Sequence, residues 1–527
     1  MSRHLLLCLG YLIILLGCKS SQNVEKQETE DRPNIVLIMG DDIGYSDIGC
    51  YGAEIQTPNL DRLAYNGMRF KTFYNMAKCN PTRSSLITGL YAGNERALSF
   101  VPLLREAGYS AVMSGKEHFD KWVPKHCYFA ETFEKSFTFW ATTNYFVPPN
   151  DTFERPFFLD GRQIRPHEIE AEILPKYKTD FITDYAIKWL DEMIKKEDPF
   201  FLLLPYHAAH YPLQARPEDI AKYRGKYVRG WDEMRNERFE RMKELGVVNE
   251  DTELSPAESN TNRFRGSQYK GFDDIREKWP TYYEWDSMTE KEKIDKDLEM
   301  AVYAAIIDRM DQNIGRVLNR LEEAGELDNT LVLFFTDNGS CPFDSNIDFD
   351  IPPGPTESYR CISPPWGNFS NTPYRLYKQN GHEGGSNTHF IAHWPEKIKP
   401  NQITDNVGHV VDIFPTFLEM ADVEYPVEYK GVKTLPLVGS SLMPIFQGEH
   451  RPTSEHLISG FTDKFRMYRS GDWKLVRQNG DQWELYNMKD DPTEMKDLAT
   501  SNPNMLNIMK DKYRGYQDSK KNEMNQQ

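Results

Sequence analysis

Eleven residues, Cys79-Asn80-Pro81-Thr82-Arg83-Ser84-Ser85-Leu86-Ile87-Thr88-Gly89, bring together a nucleophile, a helix-start signal and a fixed positive charge. Pro81 reads as the opening of a helix, because proline is favoured at the first helical position, where its missing N–H costs nothing. Cys79 then lies near the helix N-terminus, where free N–H groups and the macrodipole favour an anion. Arg83, four residues on, can share the face that bears Cys79. A buried cysteine beside a capped helix would show the same residues, so the case depends on what the rest of the chain supplies.

Three apolar runs supply it. Ile35-Val36-Leu37-Ile38-Met39, Phe200-Phe201-Leu202-Leu203-Leu204 and Leu331-Val332-Leu333-Phe334-Phe335 read as strands buried on both faces of a parallel sheet. Each ends in polar residues: Asp41-Asp42, then His207 and His210, then Asp337-Asn338. Ligands in open α/β sheets bind beyond the C-terminal strand ends. Three carboxylates and an amide oxygen are hard donors that suit Ca²⁺ or Mg²⁺, not Zn²⁺. One Asp-Asp pair is commonly a solvated turn; two acidic strand ends beside the cysteine stretch point to a metal.

Helical patterns alternate with these strands over 179–195 and 300–325, where Ile306, Met310, Ile314 and Leu318 are in register. A further helix is expected over 409–421. The segment 228–298 is charged and reads as an insertion over the sheet edge, with 231–245 amphipathic. Past 455 the pattern turns to alternation: 466–476 and 483–487 flank Gln478-Asn479-Gly480-Asp481, a hairpin signal. The tail from Asn502 reads as one polar helix.

Cys-x-Pro-x-Arg followed by Leu-Ile-Thr-Gly resembles the signature of the type I sulfatases, of the alkaline-phosphatase-like superfamily. The resemblance covers residues 32 to about 500, with its motifs in family order. It implies that a formylglycine-generating or sulfatase-maturating enzyme oxidises Cys79 to formylglycine (3-oxoalanine). Asp41, Asp42, Asp337 and Asn338 would hold a divalent ion, commonly calcium with magnesium possible, and modified Cys79 would face it. Ser340 stands where a second glycine is common. Gly115-Lys116-Glu117-His118 resembles the Gly-Lys-x-His element: Lys116 would hold the aldehyde hydrate and sulfate, and His118 would act as base. Glu117, Phe119 and Asp120 depart from the usual residues there. His207-Ala208-Ala209-His210-Tyr211-Pro212-Leu213 resembles the Pro-His-x-Pro-Leu element, with Ala209 in place of proline. His210 would contact the sulfate ester and protonate the leaving alcohol; His207 reads as structural or substrate-facing. Asn371 to Lys378, leading into His382-Glu383-Gly384-Gly385, resembles the Lys…Glu-Gly-Gly segment, and Lys378 would touch the transferring sulfate.

The chemistry accounts for these residue types. A sulfate monoester resists attack because its oxygens are negative, so cations must neutralise charge as it develops. Arg83, Lys116, Lys378 and the metal would do so. The resemblance implies in-line attack on sulfur by one hydrate hydroxyl, departure of the alcohol, and collapse of the hydrate to expel sulfate. The substrate expected is a sulfated carbohydrate, polysaccharide or oligosaccharide. Arylsulfatase action, or phosphomonoester or phosphonate hydrolysis on the shared fold, are the alternatives. A non-catalytic, sulfated-glycan-binding lipoprotein is the alternative from another class.

The bulk properties set bounds. The 527 residues can bury a large core, and 39% are hydrophobic. Sixty-three basic against 80 acidic residues leave a net charge of −17, which argues against general nucleic-acid binding. At the N-terminus, the twelve-residue run from Leu5 to Leu16 is too short to span a bilayer but suits a signal-peptide core. Leu15-Leu16-Gly17-Cys18 resembles the bacterial lipobox, implying lipidation of Cys18 and an exported, membrane-anchored protein in the periplasm or at the cell surface. The expected organisation is a signal peptide over 1–18, a polar tether over 19–32, a catalytic α/β domain over 33–455 and a C-terminal subdomain over 456–527. The fold class is α/β: a large, mostly parallel sheet flanked by helices, with a smaller antiparallel sheet. Of seven cysteines, Cys341 and Cys361 flank a Pro/Gly-rich loop, and whether they pair stays open.

Overall fold

The computed structural model describes residues 32–91, 96–119, 132–140, 143–147, 155–196, 198–257, 284–342, 351–452, 454–462, 465–478, 480 and 482–525. The leader, the tether up to residue 31, Cys18, Asp120, Asn479 and Asp481 of the expected hairpin turn, and part of the 228–298 insertion lie outside these residues.

Ten strands form the main sheet: β1 (Asn34–Gly40), β2 (Met68–Tyr74), β3 (Ser110–Lys116), β4 (Lys135–Phe139), β5 (Phe157–Leu159), β6 (Arg162–Ile164), β7 (Phe200–Pro205), β8 (Thr330–Thr336), β9 (Asn387–His393) and β10 (Gln402–His409). They lie in the order β10-β2-β9-β8-β1-β7-β3-β4-β5-β6. The central block β8, β1, β7, β3 and β4 is parallel, while β9 and β5 run the other way.

The three apolar runs are β1, β7 and β8, side by side at the centre, and alternation explains why each is continuously apolar. Val36, Ile38, Leu202, Leu204, Val332 and Phe334 face one core, with Met300, Ile306, Met310, Ile314 and Leu318 of the long helix Glu290–Ala324. Ile35, Leu37, Met39, Phe201, Leu203, Leu331 and Phe335 face the other, with Phe100, Leu104, Phe414 and Phe417. Both faces are covered, so no strand position needs a polar residue.

Three boundaries differ from the sequence reading. The long helix starts at Glu290, inside the expected insertion, because Thr289 and Glu292 form a reciprocal cap: Glu292 N donates to Thr289 Oγ1 at 3.3 Å, and Thr289 N to Glu292 Oε2 at 2.8 Å. The helix expected from His409 spans Ile413–Met420, since His409 ends β10 and a 3₁₀ turn, Val410–Asp412, intervenes. The expected strand 466–476 is two strands, Phe465–Ser470 and Trp473–Gln478. They are joined by a two-residue turn in which Gly471 takes φ 59°, a conformation suited to tight hairpins.

These two strands, with Leu457–Thr462 and Glu484–Asn487, make a four-stranded antiparallel sheet. Ile458, Tyr468, Leu475 and Leu485 bury it in the same core as Phe414, together with Met509 and Tyr513 of the terminal helix Pro503–Asn525.

Candidate active site

Five parallel strands, not three, deliver residues to one edge of the main sheet. β1 leads into Asp41-Asp42, β8 into Asp337-Asn338, β7 into His207 to His210, β3 into Lys116 and His118, and β2, through four residues, into Cys79. Lys378 enters from the loop before β9, whose N-terminal end meets the same edge because β9 is antiparallel. Asp41, Asp42, Cys79, Arg83, Lys116, His210, Asp337, Asn338 and Lys378 are all buried.

The helix over Cys79 begins at Cys79 itself, so Pro81 is its third residue and not its first. Pro81 still sits in the first turn, where no N–H partner is lost. Thr82 fixes this turn to β8, its Oγ1 donating to Asp337 O at 2.7 Å and accepting from Met76 N at 3.0 Å.

Three cations answer three carboxylates. Arg83 Nε donates to Asp337 Oδ2 at 2.9 Å, its Nη2 is ion-paired with the same oxygen at 2.8 Å, and its Nη1 donates to Lys116 O at 2.8 Å. Lys116 Nζ bonds Asp41 Oδ2. Lys378 Nζ bonds Asp42 Oδ1 at 2.5 Å, an oxygen that Asn338 Nδ2 also reaches at 2.7 Å. His210 Nδ1 meets Tyr211 O at 2.8 Å, leaving Nε2 to face Asp42 Oδ2 at 3.3 Å.

Four oxygens remain. Asp41 Oδ1, Asp42 Oδ2, Asp337 Oδ1 and Asn338 Oδ1 are buried and accept no hydrogen bond from any described residue. A buried acceptor without a donor costs about 1–3 kcal/mol, so four together are expected only where something else meets them. Ligand atoms of Asp41, Cys79 and Asp337 lie within 4.8 Å of one another, as do those of Asp41, Asp42 and His210. This donor set fits a hard divalent cation.

The electrostatics agree. Burial would raise the Asp41 and Asp42 pKa values, yet both are held below the usual carboxylate range, Asp41 mainly by Lys116 and Asp42 by His210 and Lys378. Burial and the Asp41 charge push Asp337 upward against Arg83. A divalent ion among these oxygens would offset that repulsion.

His118 is half-buried at φ 50°, and its Nδ1 has no partner among the described residues. Burial, then the charges of Lys116 and Arg83, hold it well below the usual imidazole range, so it stays unprotonated near neutrality. His207 stacks on His210 at 5.1 Å between ring centres, tilted by 25°.

Sequence reasoning missed Lys178. It is fully buried, bonds Thr143 O at 2.5 Å and meets His207 Nδ1 at 3.3 Å, over the rings of Phe139 and Tyr145. It opens the helix Lys178–Ile194, where a lysine reads as surface charge. Tyr303 was also unread: its hydroxyl lies within hydrogen-bonding distance of both Asp42 O, at 2.9 Å, and Asp47 Oδ2, at 2.8 Å, bracing the acidic turn from the long helix. Cys341 and Cys361 line one small cavity with Asp42 and Tyr303, and no disulfide joins them.

A buried edge of paired carboxylates, fixed cations and histidines defines a hydrolase site for an anionic ester, and the family follows. The family model described as Sulfatase matches residues 33–423, and that described as N-sulphoglucosamine sulphohydrolase, C-terminal, matches 375–521. The chain belongs to the sulfatase family. It is 30% identical to an arylsulfatase of Klebsiella aerogenes, over 80% of this chain and 94% of that one. It is 26% identical to an N-acetylglucosamine-6-O-sulfatase of Bacteroides thetaiotaomicron, over 96% and 90%. A solved structure in complex with its substrate D-glucosamine-2-N,6-O-disulfate shares the fold at a TM-score of 0.60 and 22% identity, covering 92% of this chain and 98% of that one.

Proposed function

We propose that this sulfatase removes sulfate from a sulfated carbohydrate, using an oxidised Cys79 and a divalent cation. The observation that carries the reading is the set of four buried oxygens that accept no hydrogen bond from a described residue, beside Cys79 and three buried cations. Two of the proteins it resembles, the N-acetylglucosamine-6-O-sulfatase and the glucosamine-disulfate complex, act on or bind sulfated sugars.

Asp41, Asp42, Asp337 and Asn338 would hold the ion, calcium or magnesium, whose charge would neutralise sulfate oxygens. Formylglycine at Cys79 would supply the covalent nucleophile. The three carboxylates are matched by Arg83, Lys116 and Lys378. A bound divalent ion therefore leaves the site with an excess of positive charge, which suits an anionic ester in a chain of net charge −17. Lys116 and Lys378 would turn part of their hydrogen bonding to the sulfate. His118, unprotonated, would take the proton released at residue 79. His210, anchored through Nδ1, presents Nε2 to deliver a proton to the leaving oxygen. Burial lowers its pKa to about 3, so retaining that proton requires the Asp42 carboxylate and the incoming anion.

The remaining readings rest on the sequence alone. Maturation would be by a formylglycine-generating or sulfatase-maturating enzyme, and Cys18 would carry lipid and anchor an exported protein. Residues 456–527 would act as a subdomain to a catalytic 33–455.

The test is sulfate release from a panel of defined sulfated saccharides, an aryl sulfate and a phosphonate ester, alongside the mass of residue 79. Turnover of a saccharide by protein carrying formylglycine is the expected result. Turnover of the aryl sulfate alone would mean an arylsulfatase. An unmodified thiol after expression with a maturating enzyme would point to the non-catalytic binder. His210→Ala is expected to slow sulfated sugars by about 10²–10⁴-fold and activated aryl sulfates much less. Equal losses would mean that His210 binds sulfate without donating the proton.

A further inference from the structure

A second buried cluster of charge lies where the C-terminal sheet meets the loop that carries Lys378. Lys474, on the strand Trp473–Gln478, donates to Glu383 Oε1 at 2.5 Å and is ion-paired with Glu494 Oε1 at 2.8 Å. Glu494 Oε2 accepts the backbone N–H of Glu383 at 2.8 Å. Tyr74, at the end of β2, donates its hydroxyl to Glu383 Oε1 at 2.8 Å and accepts from Arg469 Nη1 at 2.8 Å. Glu383, Lys474, Glu494 and Tyr74 are at most 2% exposed, so the cluster works out of water. Buried ions of this kind are costly unless paired, and paired they hold one geometry.

That geometry reaches Lys378 through the backbone. Gly384 N donates to Arg375 O at 2.9 Å, closing the loop on itself. A β-carbon on Gly384 would run into the carbonyls of Leu376 and Arg375, and one on Gly381 into Arg466 O of the C-terminal sheet. Leu376 and Gln379, flanking Lys378, take φ 63° and 62°, a conformation that non-glycine residues keep only when their surroundings impose it. Gln379 N donates to Ala77 O at 2.7 Å, two residues before Cys79, while Gln379 O accepts from Gln478 Nε2 at 3.0 Å. The lysine is thus suspended between the arm of Cys79 and the C-terminal sheet.

We propose that Glu383, Lys474 and Glu494 are positioning residues that set where Lys378 Nζ stands, so that the C-terminal sheet completes the active site. The inference rests on the sulfate contact proposed above for Lys378. A misplacement of about 1 Å can cost on the order of 10² in rate.

A double-mutant cycle tests it on the full-length enzyme, with an aryl sulfate as probe and rates normalised to folded, formylglycine-bearing protein. Lys378→Ala is expected to lower kcat by about 10²–10³-fold. Lys474→Met should lower kcat by about 10²-fold with a smaller change in KM, Lys474→Arg should restore most of it, and Lys474→Met should add little in the Lys378→Ala background. Losses that multiply would overturn the proposal, because Lys474 would then act independently of Lys378. If Lys474→Met does not fold, Gln478→Ala removes one uncharged bond on the same loop. Its several-fold loss must vanish in the Lys378→Ala background, and a loss that persists there is equally fatal. Full activity in Lys378→Ala would instead refute the role of Lys378 and this inference with it.

Discussion

Asp180 and Asp337 are both fully buried, both paired to arginine, and differ in what is left over. Asp180 Oδ1 accepts from Arg309 Nε at 2.7 Å and Asn313 Nδ2 at 2.8 Å. Its Oδ2 accepts from Arg216 Nη2 and Arg309 Nη2, both at 2.9 Å. Asp337 gives one oxygen to Arg83 and keeps the other without a donor among the described residues, as Asp41 does beside Lys116. Burial and charge therefore do not separate structural from functional carboxylates here. What separates them is clustering: isolated unmet acceptors such as Asp219 Oδ2 occur elsewhere, whereas those of Asp41, Asp42 and Asp337 belong to groups whose ligand atoms converge.

The comparison breaks first on activity. Asp41→Ala is expected to abolish turnover by more than about 10³-fold per folded molecule, and because it strands buried Lys116 it should also lower the unfolding midpoint of chelated protein. A variant that keeps near-wild-type turnover would show that the open oxygens serve no ligand. Asp180→Ala should spare activity. It strands Arg216 and Arg309 and should cost about 3–5 kcal/mol in denaturant unfolding, with kcat per folded molecule retained. A loss of kcat in stable Asp180→Ala protein would erase the distinction.

A smaller effect sharpens it. Calcium at about one hundred times its dissociation constant should stabilise chelated wild-type protein by about 2.7 kcal/mol, leave Asp41→Ala almost unmoved, and restore turnover better than zinc. Equal calcium stabilisation of both proteins would place the ion elsewhere.

The same contrast explains what could be read from the chain. Asp41, Asp42, Asp337 and Asn338 were legible because β1 and β8 are buried on both faces, so the first polar residues after each run mark the strand end. Cys79 was legible in part from the helix-start signal and Arg83, and His210 as a polar residue after β7, whereas Lys116, His118 and Lys378 were legible only through motif resemblance, since nothing local separates them from ordinary turns. The structure brings Cys79, Lys116, His210 and Lys378 to the carboxylates, while their catalytic roles await the variants above. Lys178 and Lys474 were not legible at all. Each looks like a surface lysine locally, and Lys474 finds Glu383 only across 91 residues of chain. The hairpin at Gly471 was lost because alternation continues through a two-residue turn, so a pattern of period two cannot see it.

The smallest expected effect concerns a fully satisfied neutral group, the counterpart of the open oxygens. His409 ends β10, where its Nε2 donates to Ile458 O of the C-terminal sheet at 2.9 Å and its Nδ1 accepts from Val411 N at 3.2 Å. Both nitrogens are met by the neutral ring, and protonating Nδ1 would set it against an N–H. Burial lowers its pKa to about 3, against the Ile458 hydrogen bond, with Arg451 lowering it further. The unfolded chain, with an ordinary imidazole near 6.5, binds this proton first as pH falls. The contribution of His409 to stability is therefore whole above pH 6.5 and is lost progressively between 6.5 and about 3, at up to about 1.4 kcal/mol per pH unit. Unfolding measured between pH 6.5 and 5, above most carboxylate titration, should show a shallower slope in His409→Gln by close to one proton. Parallel curves for the two proteins would mean that His409 already carries its proton in the fold, and that the join between β10 and the C-terminal sheet is built on a charge.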